Sequence, residues 1–566
     1  ILKVYLNNKS IFDNVPINSI SYEQQLLETL ELISTFLLSK NNVVTTPSSK
    51  DSIKAFAQLS FNYINHKRKL ISNHDDILIS LNSFNKTINN YIELFSTLED
   101  DLNLYKTVEF AKSFSLEFAK LKNESLQRNK NQDLKYKEIL LKSVINTYEY
   151  KLTNETSNLT SLQDSLLKYK KEYSNLTSKL ISNDNTFDDL QFDNKSDIHY
   201  LTKDISHNES ILNYYIIEDD IFIFHLTKNN IQVEKINQNN NLRRYLLEDL
   251  SNINNRKPLE FSKEMSSILL PASFQLRKKI TIIPDSYLFY FPFEILIHKN
   301  EYLLLNKNIS YIHSEKLIES NTISKDPNFF GIAPDFNENC VGLKPLQFNL
   351  QELNNISKLF NSPKLSIENG TIKSDFEAQI KDENIIHFAT HVKLNESDSD
   401  KSYIALGGKC EDTLKTRIYL RDLISYDLKS DLVVLSGCDS GLGELVNGEG
   451  LTSLSKSLFY SNVKSVVSTL WKVNDNSTSE IMTYFYENMR KGHSKNKALK
   501  EAKLTYLSKA DPDYQHPYYW SGIIAMGDMS PIFPKSKKNY IIIFIGMIFL
   551  FIIVRHYFKN KNRLAD

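Results

Sequence analysis

None of residues 1–330 is glycine; all fourteen glycines lie between Gly331 and Gly546. Glycine is the residue that reaches positive φ without steric cost. A glycine-free stretch of that length reads as helices and simple connections. The glycine-bearing remainder reads as the part with tight turns and close backbone approaches, which loops that do chemistry need.

Within residues 1–130, Tyr22–Ser39 and Ser52–Leu70 carry helical apolar spacing. This region is expected to be a helical bundle or degenerate tetratricopeptide-like repeats, although no clean repeat signature is present. Residues 131–190 are expected to form one long heptad helix. Its seam is Ile145, Tyr148, Leu152, Leu159, Leu162, Leu166, Tyr169, Tyr173, Leu176 and Leu180, with Glu155 in one apolar slot. Such a seam packs on its own bundle or on a second chain.

From about residue 209 the period changes. Ile211–Ile217 and Ile221–Leu226 are β-rich runs around Glu218-Asp219-Asp220, which suits a hairpin. Strands at 279–284, 329–332, 385–389, 432–436 and 465–470 then alternate with helices at 350–360, 451–460, 478–491 and 495–509. That alternation predicts an α/β domain over 205–530 with a doubly wound, mostly parallel sheet. Sites in such sheets lie at the carboxyl ends of strands.

Composition narrows the function. The chain has 566 residues, too many for one core, and 68 basic residues balance 68 acidic ones. A nucleic-acid partner, which needs a basic face, is not expected. The three cysteines, Cys340, Cys410 and Cys438, are an odd set with no disulfide framework and no zinc spacing, so neither metal nor cofactor is expected. The sequence opens at Ile1, which reads as a processed or truncated product. Tyr540–Val554 is a charge-free apolar run flanked by lysines and arginines. It predicts a transmembrane helix over 538–556, a basic tail over 557–566 and a single-pass membrane location, with the slight excess of basic residues in the tail favouring a cytoplasmic tail.

Two segments carry chemistry. Ile385-Ile386-His387-Phe388-Ala389-Thr390-His391 is an apolar strand that delivers a histidine. Leu432-Val433-Val434-Leu435-Ser436-Gly437-Cys438-Asp439-Ser440-Gly441 is an apolar strand that delivers a cysteine among small residues. On adjacent parallel strands, imidazole and thiol would face each other, as nucleophilic catalysis requires. His387 reads as a packed core residue. Asp439, Trp471 and Asp475 are candidate pocket residues, with a turn role for Asp439 and a helix cap for Asp475 as the plainer readings. Glu449 sits in a Gly-Glu-Gly turn opening a helix, and residues 393–401 form a polar acidic loop after His391.

These residues resemble the CHAT family, caspase-like peptidases related to separase that often accompany tetratricopeptide repeats. The resemblance extends to Ile282–Leu296, Gly448–Leu451, Val466–Asp475 and His516–Gly522, in order, across roughly residues 209–528. It implies a caspase-like fold and a cysteine endopeptidase with His391 as base and Cys438 as nucleophile. It also implies an oxyanion hole from the backbone N–H groups of Val392 and Cys438. The family commonly has a small residue where this chain has Val392. The implied partner is a protein substrate. A protein activator acting through the N-terminal helices is expected from the helical array beside the peptidase part and from the polar loop after His391. The other class of function is a catalytically silent scaffold on the same fold at the membrane.

Overall fold

The computed structural model describes residues 20–39, 47–70, 74–113, 132–154, 159–181, 197–237, 241–314, 323–324, 326–336, 343–368, 370–380, 382–393, 402–407, 413–437, 444–446, 450–452, 454–471 and 474–535. The N-terminal part contains α1 (Ile20–Ser39), α2 (Pro47–Leu70), α3 (His74–Thr97) and α4, described over residues 101–113. α5 (Gln132–Asn154) and α6 (Leu159–Ile181) follow.

The single heptad helix expected over 131–190 is two helices folded onto each other. Tyr148 meets Tyr169 at 5.4 Å, Lys170 pairs with Glu149 at 2.7 Å, and Tyr173 donates to Glu138 at 3.0 Å. Glu155, which takes an apolar slot of the seam, falls in sequence between the two helices. The seam finds its partner within the same chain.

The α/β part runs β1 (Glu209–Ile217), β2 (Asp220–Thr227), β3 (Asn230–Asn237), α7 (Asn241–Asn254), α8 (Ser262–Leu269), β4 (Lys279–Ile283) and β5 (Asn308–Tyr311). It continues through β6 (Phe329–Pro334), α9 (Asn349–Ser357), β7 (Lys364–Glu368), β8 (Ile385–Phe388), β9 (Val392–Lys393), β10 (Tyr403–Ala405) and β11 (Arg417–Tyr419). It ends with β12 (Leu432–Leu435), α10 (Leu454–Tyr460), β13 (Ser465–Thr469), α11 (Asp475–Arg490), α12 (Lys495–Lys509) and β14 (Ile523–Gly527).

One 11-stranded sheet has the order β3-β2-β1-β4-β5-β14-β13-β12-β8-β6-β7. The expected α/β architecture is present, and seven of the ten strand pairings are parallel; the three antiparallel ones make the sheet mixed. β1, β4, β5 and β14 run one way, and β13, β12, β8, β6 and β7 run the other. The antiparallel β13–β14 ladder is the join. The carboxyl ends of the two blocks therefore face opposite edges of the sheet.

The glycine-free half is not confined to helices. Glu218 and Asn229 adopt φ of 51° and 66° in the two turns that connect β1, β2 and β3. Turn position outweighed side-chain cost there, and asparagine tolerates this region well. Phe222 and Phe224 face one side of the sheet, while Ile221 and Ile223 face the other, as the strand period demands. Phe61, Tyr91, Phe95 and Tyr105 of the N-terminal helices bury the first face; Leu242 and Leu246 of α7 bury the second. The N-terminal helices are a packed layer of the sheet.

The expected transmembrane helix over 538–556, and with it a single-pass membrane location, is not supported. Among the described residues no helix is long and apolar enough to cross a membrane. α2 and α3 reach 24 residues each, but Lys and Asp side chains interrupt both. Residues 538–556 themselves lie outside the described residues.

Candidate active site

β8 and β12 are neighbouring parallel strands, paired from Ile385↔Leu432 to Phe388↔Leu435. Both leave the sheet at the same level. Ser436 N–H donates to the Phe388 carbonyl at 3.1 Å, extending the ladder one step past the strands. Gly437 comes next and lies directly against the other chain. A β-carbon there would sit 2.1 Å from the Thr390 carbonyl oxygen and 3.2 Å from the Val392 nitrogen. Only glycine permits that approach. Thr469 Oγ1 donates to the Gly437 carbonyl at 2.8 Å and ties the segment to β13. Cys438 and Asp439 follow at once; both lie outside the described residues, as do Glu449 and residues 394–401.

His391 is 8% exposed. Its Nε2 lies 2.6 Å from the Lys344 carbonyl oxygen. A carbonyl only accepts, so Nε2 carries the proton and donates. In the neutral ring Nδ1 is then the basic nitrogen. Phe336 packs edge-on against the imidazole at 4.7 Å and fixes its plane.

Val392 opens β9 and pairs with Ile404. The preceding carbonyl, that of His391, accepts from Ala405 N–H at 2.9 Å and so points toward β10. Backbone groups alternate along a strand, so the Val392 N–H points the opposite way, toward Gly437. Its side chain is fully buried among Ile404, Ile418 and Leu435. A β-branched residue is at home in this extended backbone.

The other candidates separate. Trp471 stands past the end of β13, but its Nε1–H donates to the Tyr518 carbonyl at 3.2 Å and its ring covers Gly522. It packs the edge. Asp475 is the first residue of α11, and the cap is Asn474, whose side chain accepts from Ser477 N–H at 3.1 Å.

His387 is the packed residue expected, and it is also part of a buried relay that sequence reasoning missed. Its Nε2 lies 2.8 Å from Glu352 of α9 and its Nδ1 3.1 Å from the Tyr486 hydroxyl of α11. Burial, reinforced by Glu352, holds the Tyr486 phenol well above its usual range. Glu352 anchors the helix that follows Lys344, whose carbonyl holds His391. The only advance signal was a lone acid in the apolar Leu350–Phe360 stretch.

A second buried polar cluster occupies the opposite edge. Lys112 of α4 donates to the carbonyls of Ile283 and Pro284 at 3.1 and 2.7 Å, just past β4. Glu109 accepts from Asn213 at 2.6 Å and Ser314 at 2.7 Å. Burial pulls the Lys112 ammonium down to about 8, against the pull of Asp285 and Glu109. Among the described residues, His313 is 6% exposed with no hydrogen-bond partner on either ring nitrogen. It stacks on Phe289 at 5.2 Å and meets Phe459 edge-on at 5.6 Å. The signal available was a histidine following a strand in Tyr311-Ile312-His313-Ser314.

Residues 259–528 match the family model of the CHAT domain. No curated protein matches the chain. Among solved structures, the Arg-specific cysteine proteinase gingipain R (RgpB) is 9% identical, with 50% of this chain and 71% of that one covered and a TM-score of 0.33. The complex of Porphyromonas gingivalis RgpB pro- and mature domains gives 9% identity, 50% and 72% coverage and a TM-score of 0.33. The Saccharomyces cerevisiae separase–securin complex gives 9% identity, 92% and 51% coverage and a TM-score of 0.40.

Proposed function

Residues 259–528 form a CHAT domain, and on that premise we propose that the chain is a cysteine endopeptidase with Cys438 as nucleophile and His391 as base. The observation that carries this reading is the 2.6 Å bond from His391 Nε2 to the Lys344 carbonyl. It leaves Nδ1 as the proton acceptor on a ring held at the edge where the chain enters Cys438. The thiol gives its proton to Nδ1 as sulfur attacks the peptide carbonyl carbon. The resulting oxyanion is stabilised by the backbone N–H groups of Val392 and Cys438. Collapse to a thioester expels the amine, which takes the proton from His391. Water then attacks the thioester with His391 again as base, releasing acid and thiol. Asp439 borders the substrate in this reading, while Trp471 and the start of α11 support the edge from behind.

Regulation fits the N-terminal helices. A protein partner that engages them acts on the sheet through α4, whose Lys112 and Glu109 hold the ends of β4 and β5.

The test is covalent trapping by a peptide-based electrophile. Labelling is expected at Cys438 and is expected to vanish in Cys438→Ala and fall sharply in His391→Ala. Labelling of Cys438 no faster than that of Cys340 or Cys410 overturns the peptidase and leaves the interaction scaffold.

A further inference from the structure

β9, β10 and β11 form a small antiparallel sheet beside the site. Its pairing places three side chains in one cross-strand row. His391 lies opposite Ala405, through the 2.9 Å bond from Ala405 N–H to the His391 carbonyl. Ala405 in turn lies opposite Arg417. Directly paired residues share a face. Val392, Ile404 and Ile418 fill the buried face, so His391, Ala405 and Arg417 share the other. Packing agrees: Phe336 touches both the His391 ring and the cluster that contains Ala405 and Tyr403.

We propose that Arg417 selects an acidic side chain of the substrate beside the scissile bond. This rests on the peptidase reading of the same site. The Arg417 guanidinium lies 4.1 Å above the Tyr403 ring. Stacking holds the planar fork in place while leaving its N–H edge to donate two parallel bonds to a carboxylate. Among the described residues Arg417 has no carboxylate partner. The next row on this face is Lys393, Tyr403 and Tyr419, so among these six described residues two are cations and none is an acid. Ala405, between imidazole and guanidinium, is buried against Phe336 and Leu343. Two pair spacings separate His391 from Arg417, about 10 Å between Cα atoms. An extended peptide advances about 3.3 Å per residue, so a side chain within about three positions of the cut bond reaches the guanidinium.

The experiment uses the full chain and peptide pairs that differ only in Asp against Asn, with the pair moved through the positions flanking the cleavage point. At one position the acid is expected to exceed the amide in kcat/KM by about tenfold or more, since a site built to bond a group rejects the analogue lacking it. Arg417→Ala brings that ratio to about one, and Arg417→Glu makes the Asn peptide the better substrate. A ratio of one in the wild type at every position, or a ratio that survives in Arg417→Ala, overturns the proposal. Binding of the same pairs to Cys438→Ala, read by fluorescence anisotropy, needs no turnover. Acid-over-amide binding lost on adding Arg417→Glu supports the subsite; equal binding of both peptides overturns it. Electrophile labelling of Cys438 reports on the peptidase reading alone.

Discussion

The backbone at Gly437 sits so close to Thr390 that a β-carbon would stand 2.1 Å from the Thr390 carbonyl oxygen. This contact is what holds the two strand ends, one leading to Cys438 and one to His391, at a single level. Gly437→Ala is expected to push them apart. The overpacking costs about 1–3 kcal/mol of stability, while Cys438 labelling falls far more than the population of folded protein. Paired measurement of the thermal midpoint and the labelling rate checks this. An unchanged labelling rate would falsify it.

The buried bond between His387 and Glu352 at 2.8 Å predicts a double-mutant signature. Glu352→Leu alone strands the imidazole nitrogen and costs about 1–3 kcal/mol. His387→Phe alone strands the carboxylate and costs more, because a charge is left buried without a donor. The double variant removes both polar groups and recovers part of the loss. Urea midpoints of the four proteins give the coupling; strict additivity refutes the pairing.

His313 gives the fold a pH dependence with a definite sign. Burial, with Lys456 and Lys112 adding to it, holds the imidazole well below its usual 6.5. A folded-state pKa that is lowered means the unfolded chain binds the proton first. Stability is therefore fully present above the unfolded value and declines as pH falls below it. Lys112, at about 8, is already protonated in that window. Asp285, raised by burial against the pull of Lys112, acts in the opposite sense at lower pH. Urea midpoints measured from about pH 7.5 to about pH 5.5 should drop in the wild type and flatten in His313→Phe. Parallel curves for the two proteins would exclude His313 as the source.

Removing the N-terminal helices is expected to unfold the α/β part rather than release it. Phe222, Phe224 and Leu226 would lose the layer formed by Phe61, Tyr91 and Tyr105, and an exposed apolar face of that kind aggregates. A chain starting at residue 201 should be recovered insoluble. Lys112→Ala in the full chain, which strands two carbonyls, should cost about 1–3 kcal/mol without loss of solubility. A soluble, cooperatively melting 201–566 fragment refutes the layer as essential.

Much of this was readable in advance. The strands ending at Phe388 and Leu435 are continuous apolar runs, and the helix over 495–509 matched residue for residue. Short or polar strands were not readable: Asn308–Tyr311 and Lys364–Glu368 become strands through their neighbours. The antiparallel β13–β14 ladder depends on Ile523–Gly527, which returns to the centre of the sheet after two helices. Spacing carries no record of such a return. At the site, His391 announced itself by position, whereas Phe336, Lys344 and Glu352 come from a stretch 39–55 residues earlier in the chain. Their roles are set by tertiary contact. Lys344 acts through a backbone carbonyl, which no side-chain pattern reveals.

The reversal at β13–β14 has a further consequence for how such a molecule is tuned. Two strand directions in one sheet give it two working rims, with His391 on one and the Lys112–Glu109 clamp on the other. Whatever lengthens or rearranges one rim does so a full strand away from the other. A tether, a sensor or a new lid can be grafted beside α4 without rebuilding the chemistry. Any message between the rims must travel along the strands themselves, as a shift of the whole slab.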